Sequence, residues 1–314
     1  MNNPIIITGP TASGKSAIAL SLAKKINCEI VSADSMQIYK TMNIGTAKPS
    51  KHEMSIVKHH MIDLCDIGQD YSVAQYKDEA LACITDIIKR KKTPIIVGGT
   101  GLYLDALLLN IEFPQGKISN RNFFEDYLNK HGKTQLYNLL LERDKQAALT
   151  THPNNTKRVI RYLDILSEYE GNLEEYKKNA LNNVSGLNFH IYILDMPRDM
   201  LYKRIEDRVD IMLKSGLVKE VSDIISYNDI SSNALSAIGY KEVIKYLRGY
   251  CTYEEMITLL KKNTRNYAKR QITWFKKYKD AKFINPFEYS SIDEISKYIL
   301  SDLVENPENT KYFS

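Results

Sequence analysis

The chain has 314 residues, enough for about two domains at roughly 150 residues each. With 43% apolar and 26% charged residues it has the composition of a globular protein, which excludes a disordered chain, a collagen or a coiled-coil rod. A net charge of +5 names no partner by itself. No stretch approaches the ~18 apolar residues of a membrane span, so no membrane role is expected, and the opening MNNPIIITGP has no basic n-region of a signal peptide.

The first predicted element is a strand over residues 4–8 (PIIIT), followed by the glycine-rich GPTASGKS and by SAIALSLAKKI, apolar at helical spacing. Residues 28–32 (CEIVS) form a second strand of buried type, ending at Ala33 and Asp34. A helix follows over 71–89 with Ser72 as N-cap, then a third strand over 93–97 (TPIIV) that ends in GGTGLY. From about 113 to 186 the pattern is helical without a good strand, with breaks at Gly132, His152-Pro153 and Gly171. Strand character returns at 189–194 (FHIYIL), before a long helix through Arg208. A short strand, KFINP, and a helix over 292–303 close the pattern, and the polar tail after Glu305 is expected to fray. Continuous apolar strands alternating with helices predict an α/β fold, a P-loop-type parallel sheet with helices on both faces. The reading is an α/β core over 1–112 and 187–314, interrupted by an all-helical insertion over 113–186. Cys28, Cys65, Cys83 and Cys251 show no paired spacing and read as reduced core thiols of a cytoplasmic protein.

Residues 9–16 match G-x-x-x-x-G-K-[ST] between a strand and a helix, the context in which that motif cradles phosphate. Backbone N–H groups and the positive helix end face phosphate oxygens, Lys15 adds a point charge, and the Ser16 hydroxyl can ligate Mg²⁺. The motif predicts a phosphorylated ligand, not ATP and not hydrolysis. An acid at a strand end usually holds the Mg²⁺ shell in P-loop ATPases, and TPIIV runs into glycines instead. Asp34 ends CEIVSAD, where strand C-termini converge beside the phosphate site. It can serve as a base on an acceptor, or merely cap the next turn. GGTG is either a tight turn only or, with three glycines in four residues, a place of close backbone approach to something, with the Thr100 hydroxyl at the same rim. Arg204 and Arg208, four apart on a helix, suit an anion clamp near the loop, or an ordinary network with Glu206, Asp207 or Asp210.

Residues 241–279 hold 11 basic residues against Glu242, Glu254 and Glu255, a net +8, so the rest of the chain is −3. Tyr267, Trp274, Phe275 and Tyr278 lie among them. Cations neutralise phosphates and aromatics stack on unpaired bases, so this is a nucleic-acid footprint. For an isolated run of this kind, a solvated helix face with its aromatics in the core is the more ordinary explanation. Lys157, Arg158 and Arg161 form a second basic patch. At this level a P-loop kinase of a small acceptor, a transferase acting on RNA and an RNA-remodelling NTPase all remain open. The missing acid after TPIIV weighs against the last.

Taken together and in order, GPTASGKS, SADSMQIYK with IGTAKP, HHMIDL, GGTGLY, RVIR, RVDIMLKSGLVKEV, AIGYKE and TRNYAKRQITWF resemble the tRNA dimethylallyltransferase family, also called tRNA isopentenylpyrophosphate transferases. The resemblance runs from about Ile5 to Phe275. It implies transfer of a dimethylallyl group from dimethylallyl diphosphate to the exocyclic amine of the adenosine 3′ of the anticodon, in tRNAs reading codons that begin with U. It implies Mg²⁺ as cofactor with Ser16 as its protein ligand and a tRNA anticodon stem-loop as partner; a monomer is expected. Carried over by residue, Gly9, Thr11, Ala12, Ser13, Gly14, Lys15, Ser16 and Arg208 would hold the diphosphate. Asp34 would be the general base, and Thr100 would line the channel where the substrates meet. Asp34, Ser35, Met36 and Gln37, with Thr100, would receive the extruded base. Phe123, Lys157, Arg158 and Arg161 of the insertion, and Arg265, Lys269, Arg270, Gln271 and Trp274, would grip the tRNA. The insertion departs from the family pattern of Asp-Pro, Pro-Asn-Asp and Arg-x-Leu-Glu. Here Asp144-Lys145 loses a proline stop, Asn155 loses a charge and Asp164 is a methylene shorter. No Cys/His pair at zinc-finger spacing follows, which gives the chain a bacterial look.

Overall fold

The computed structural model describes residues 3–109, 120–181, 187–227 and 230–306. The chain divides into two compact units, residues 1–108 with 186–314, and residues 109–185. The predicted frayed tail falls, from residue 307 on, outside the described residues.

The larger unit runs β1 (Ile5–Thr8), α1 (Lys15–Ala23), β2 (Cys28–Ser32), α2 (Lys51–Ile56), β3 (His59–His60), α3 (Val73–Lys89), β4 (Thr93–Gly98) and α4 (Gly101–Leu108). The smaller unit follows with α5 (Arg121–Arg143), α6 (Lys145–Leu149), α7 (Thr156–Glu168) and α8 (Leu173–Leu181). The larger unit resumes with β5 (His190–Leu194), α9 (Arg198–Lys214), α10 (Leu217–Ile225), α11 (Ser232–Leu235), α12 (Tyr240–Leu247), α13 (Tyr253–Phe275), β6 (Lys282–Ile284) and α14 (Ile292–Glu305).

The six strands form one sheet in the order β3-β2-β4-β1-β5-β6. All their pairings are parallel. Alternation along β1 shows why both faces are covered. Ile6 joins a cluster with Tyr76, Ala80 and Ile84 of α3 and Leu104 and Leu107 of α4. Ile5 and Ile7 point the other way, into a cluster with Ile18 and Leu22 of α1 and Ile295 and Ile299 of α14. Each of these buried isoleucines and leucines contributes about 1.5–3 kcal/mol. A third cluster packs Ile38, Tyr39 and Met42 against α10, α12 and the start of α13.

The predicted strands all form, and helix 71–89 starts two residues later, at Val73, behind the expected Ser72 cap. Ser72 Oγ accepts from Gln75 N (3.1 Å) while Gln75 Oε1 accepts from Ser72 N (2.9 Å). Of the strands among the described residues, β3 alone is not predicted, because two residues carry no periodicity. All four cysteines are free, but only Cys28 and Cys65 are buried; Cys83 and Cys251 are half-exposed, which corrects their reading as core thiols.

Within the smaller unit, α5 is kinked at Gly132 (φ 78°, ψ 171°), a conformation open to glycine alone. Its core joins Leu136 and Leu140 to Val159, Leu163 and Leu166 of α7. Lys145 is not a lost stop. It is the first residue of α6, and the buried Asp144 carboxylate caps that helix through Ala147 N (2.9 Å) and holds Leu173 N (2.9 Å). Asn155 likewise keeps its cap, with Oδ1 accepting from Arg158 N (3.3 Å).

Candidate active site

The C-terminal ends of β1, β2 and β4 meet. Thr8 is in register with Gly98 and its hydroxyl donates to the Gly98 carbonyl (2.8 Å), while Ser32 is in register with Val97. The loops leaving these ends therefore converge on one cavity of about 570 Å³. Its walls include Lys15 and Ser16 from the first loop, Asp34 and Gln37 from the second, Gly98 and Gly99 from the third, and Arg204, Arg208 and Tyr267 from α9 and α13.

The first loop is wound for anions. Gly9 (φ 144°) could not carry a Cβ, which would lie 2.7 Å from the Leu194 carbonyl oxygen. Gly14 (φ 99°) is the N-cap of α1, and Ala12 takes a left-handed φ of 63° in spite of its side chain. The Ser13 hydroxyl is buried without a hydrogen-bond partner among the described residues. Lys15 Nζ donates to the carbonyls of Gly9 (2.9 Å) and Pro10 (2.7 Å). Burial first, and then the Arg208 charge, bring the Lys15 pKa down to about 7, with Asp34 pulling it back up. Burial lowers the Arg208 pKa too, again opposed by Asp34. Two cations held against burial and beside each other form a site that an anion would stabilise.

Asp34 closes the turn the sequence allowed and also faces the cavity. Its Oδ1 accepts from Met36 N (2.9 Å), closing a local turn, and the carboxylate still lines the cavity within electrostatic reach of Lys15 and Arg208. Thr100 stands behind this wall, its Oγ1 accepting from Ser35 N (3.0 Å). Burial and the Asp34 charge raise the Tyr267 pKa. Sequence reasoning counted Tyr267 only as an aromatic in a basic run and missed it as a wall of the cavity. Gln37 accepts from Ser32 Oγ (3.0 Å) and donates to the carbonyl of Thr46 (3.3 Å), tying the second loop together.

The glycines of GGTG approach the chain itself. A Cβ on Gly98 would lie 2.1 Å from the Ala33 carbonyl oxygen, on Gly99 2.2 Å from Gln271 Nε2, and on Gly101 2.3 Å from Trp274 Cδ1. Gln271, expected to touch tRNA, is 5% exposed; it accepts from Thr11 N (2.8 Å) and donates to the Gly99 carbonyl (2.9 Å). The Thr11 amide, expected to hold phosphate, is thus engaged by Gln271.

The basic segment sorts into two kinds. Arg265 pairs with Glu206, Lys261 with Asp210 (2.7 Å) and Lys277 with Asp105. Phe275 and Tyr278 are core residues, each 1% exposed, and cannot stack on bases. Lys245, Lys262, Lys269, Arg270 and Lys276 are exposed, as is Trp274, with Lys277 Nζ 4.3 Å from its ring centroid. The anion-clamp reading of Arg204 and Arg208 keeps its geometry, since both line the cavity and Arg204 reaches the Ser13 carbonyl (3.4 Å). Glu206 and Asp210 turn to α13 instead.

In the smaller unit, Lys157, Arg158 and Arg161 are exposed on α7, and Arg158 Nε donates to Tyr162 Oη (2.8 Å). Phe123 is 62% exposed and borders an apolar groove with Tyr127 and Leu163. Among the described residues no cluster of His, Cys, Asp and Glu forms a metal cage, and no helix is long and apolar enough to cross a membrane. A divalent cation would instead find hard oxygen donors. The exposed Ser16 hydroxyl and the Asp207 carboxylate face the same cavity, oxygen donors that suit Mg²⁺ beside a phosphate.

A family profile described as IPP transferase matches residues 37–278. A tRNA dimethylallyltransferase of Acetivibrio thermocellus is 42% identical over 95% of this chain and 96% of its own. One of Clostridioides difficile is 44% identical over 94% and 96%. A solved tRNA isopentenylpyrophosphate transferase of Bacillus halodurans superposes with a TM-score of 0.70 at 38% identity, covering 98% of each chain. A eukaryotic dimethylallyltransferase, described as caught acting on tRNA, reaches a TM-score of 0.80 at 28% identity over all of this chain and 82% of its own.

Proposed function

The chain belongs to the IPP transferase family, and we propose on that footing that it transfers a dimethylallyl group from dimethylallyl diphosphate to the exocyclic amine of an adenosine in tRNA, the one 3′ of the anticodon. The observation that carries this reading is the juxtaposition in one cavity of a phosphate loop with two half-buried cations, Lys15 and Arg208, and a carboxylate, Asp34, beyond the end of β2, which β4 separates from the strand leading into that loop.

The diphosphate binds where Lys15, Arg208 and the N-terminus of α1 present positive charge. Its arrival keeps Lys15 protonated, reversing the effect of burial. The amine nitrogen bonds to the allylic carbon as the bond from that carbon to the diphosphate oxygen breaks, and the leaving electron pair goes to diphosphate. Lys15 and Arg208 neutralise the charge that develops there. The proton released by the amine goes to the Asp34 carboxylate, an assistance worth ~10²- to 10⁴-fold. Met36 N and the neighbouring Ser35–Thr100 contact hold that carboxylate in place. Ser16, with phosphate oxygens, would hold Mg²⁺, which supplies further charge neutralisation when bound. The adenine must leave its stack to enter, at a cost of about a few kcal/mol. The exposed cations of α13, Lys269 and Arg270 among them, supply the phosphate contacts that offset it.

The test is a product assay with Mg²⁺, an anticodon stem-loop and either dimethylallyl diphosphate or ATP. Prenylated adenosine and released diphosphate are expected. ATP turnover with unmodified RNA would overturn the reading.

A further inference from the structure

Resting on that reading, we infer that Gln271 is a positioning residue that sets the distance between the diphosphate loop and the turn that supports Asp34. The sheet fixes only the roots of these two loops, through the Thr8–Gly98 register. Thr11 and Gly99 lie beyond that register, and the side chain of Gln271 joins them: Oε1 accepts from Thr11 N (2.8 Å) and Nε2 donates to the Gly99 carbonyl (2.9 Å). From Gly99 the path continues through Thr100, whose Oγ1 holds Ser35 N (3.0 Å), next to Asp34.

The amide is the group this place requires. It offers an acceptor to one loop and a donor to the other, and at 5% exposure water does not replace either. It lies flush against the backbone, since a Cβ on Gly99 would come within 2.2 Å of Nε2. Displacement at an allylic carbon needs donor and acceptor atoms about 3–3.5 Å apart, and a misplacement of ~1 Å costs on the order of 10²-fold in rate. A brace between the loop that holds the leaving group and the turn behind the base acts on that distance without touching either substrate's affinity.

The experiment compares steady-state transfer by the full-length protein with Gln271→Glu and Gln271→Met. Glu keeps the acceptor for Thr11 but cannot donate to Gly99, and Met matches the length with neither bond. Both are expected to lower kcat about ten- to a hundredfold, with KM for dimethylallyl diphosphate and for the stem-loop within about threefold of wild type. Gly99→Ala, which displaces the amide without changing α13, is expected to show the same signature and serves where a Gln271 variant does not fold. Unchanged kcat with raised KM, or loss confined to the melting midpoint, would overturn the inference while leaving the proposed function intact. A wild-type protein that forms no prenylated RNA would instead overturn the function.

Discussion

Glu29 stands near the start of β2, and Asp34 lies just past its end. The Glu29 carboxylate is 2% exposed and completely answered: Arg90 grips both oxygens (2.5 and 2.6 Å), and Lys92 (2.8 Å) and His60 (2.7 Å) add to them. Hydrogen bonding by Arg90 above all holds its pKa well below the usual carboxylate range. Asp34 forms no ion pair among the described residues, and neither does Lys15, whose ammonium rests on carbonyl oxygens. One strand thus carries a charge cluster that is closed at one end and open at the other. Closed charges hold a fold together, and open charges of both signs around a cavity await a ligand.

Five measurements can break or sharpen this contrast. Asp34→Asn is expected to cut turnover the most, by ~10²- to 10⁴-fold in kcat with stem-loop affinity retained. Lys15→Ala is expected to weaken dimethylallyl diphosphate by ~30- to 1,000-fold, read by titration calorimetry, while stem-loop affinity stays within about twofold. Glu29→Gln is expected to lose about 3 kcal/mol of stability and little activity, because it leaves buried partners of a carboxylate unanswered. Glu29 also sets a pH window. Its folded pKa is depressed, so its stabilisation is complete above the unfolded carboxylate value of about 4.3 and is lost as pH falls below it. Denaturant midpoints measured from pH 6 down to 3 should fall more steeply in wild type than in Glu29→Gln. The smallest effect is at Lys269 and Arg270. Changing both to Ala should weaken the stem-loop and lower the slope of log affinity against log salt by about 1 to 2. An unchanged slope would make that helix face a merely solvated one.

The sheet and the phosphate loop were legible because each is locally encoded: continuous β-branched runs for β1, β2 and β4, and a motif set between strand and helix. The roles of the GGTG glycines and of Gln271 were not, since their partners, Ala33, Trp274, Thr11 and Gly99, are distant in sequence. The charge run misled in the same way. Locally it is +8, but Glu206, Asp210 and Asp105 from other elements pair with three of its cations, and Phe275 and Tyr278 turn into the core. Tyr267 in the cavity and Trp274 at the surface share that run, and only packing separates them.

The most direct test puts the two ends of β2 side by side: single-turnover transfer and the unfolding midpoint, both measured on Asp34→Asn and Glu29→Gln with stem-loop and donor pre-bound. The expected result is a transfer rate lowered ~10²- to 10⁴-fold at an unchanged midpoint for Asp34→Asn, and the reverse for Glu29→Gln. A transfer rate within tenfold of wild type in Asp34→Asn would contradict the assignment of chemistry to the open end of the strand.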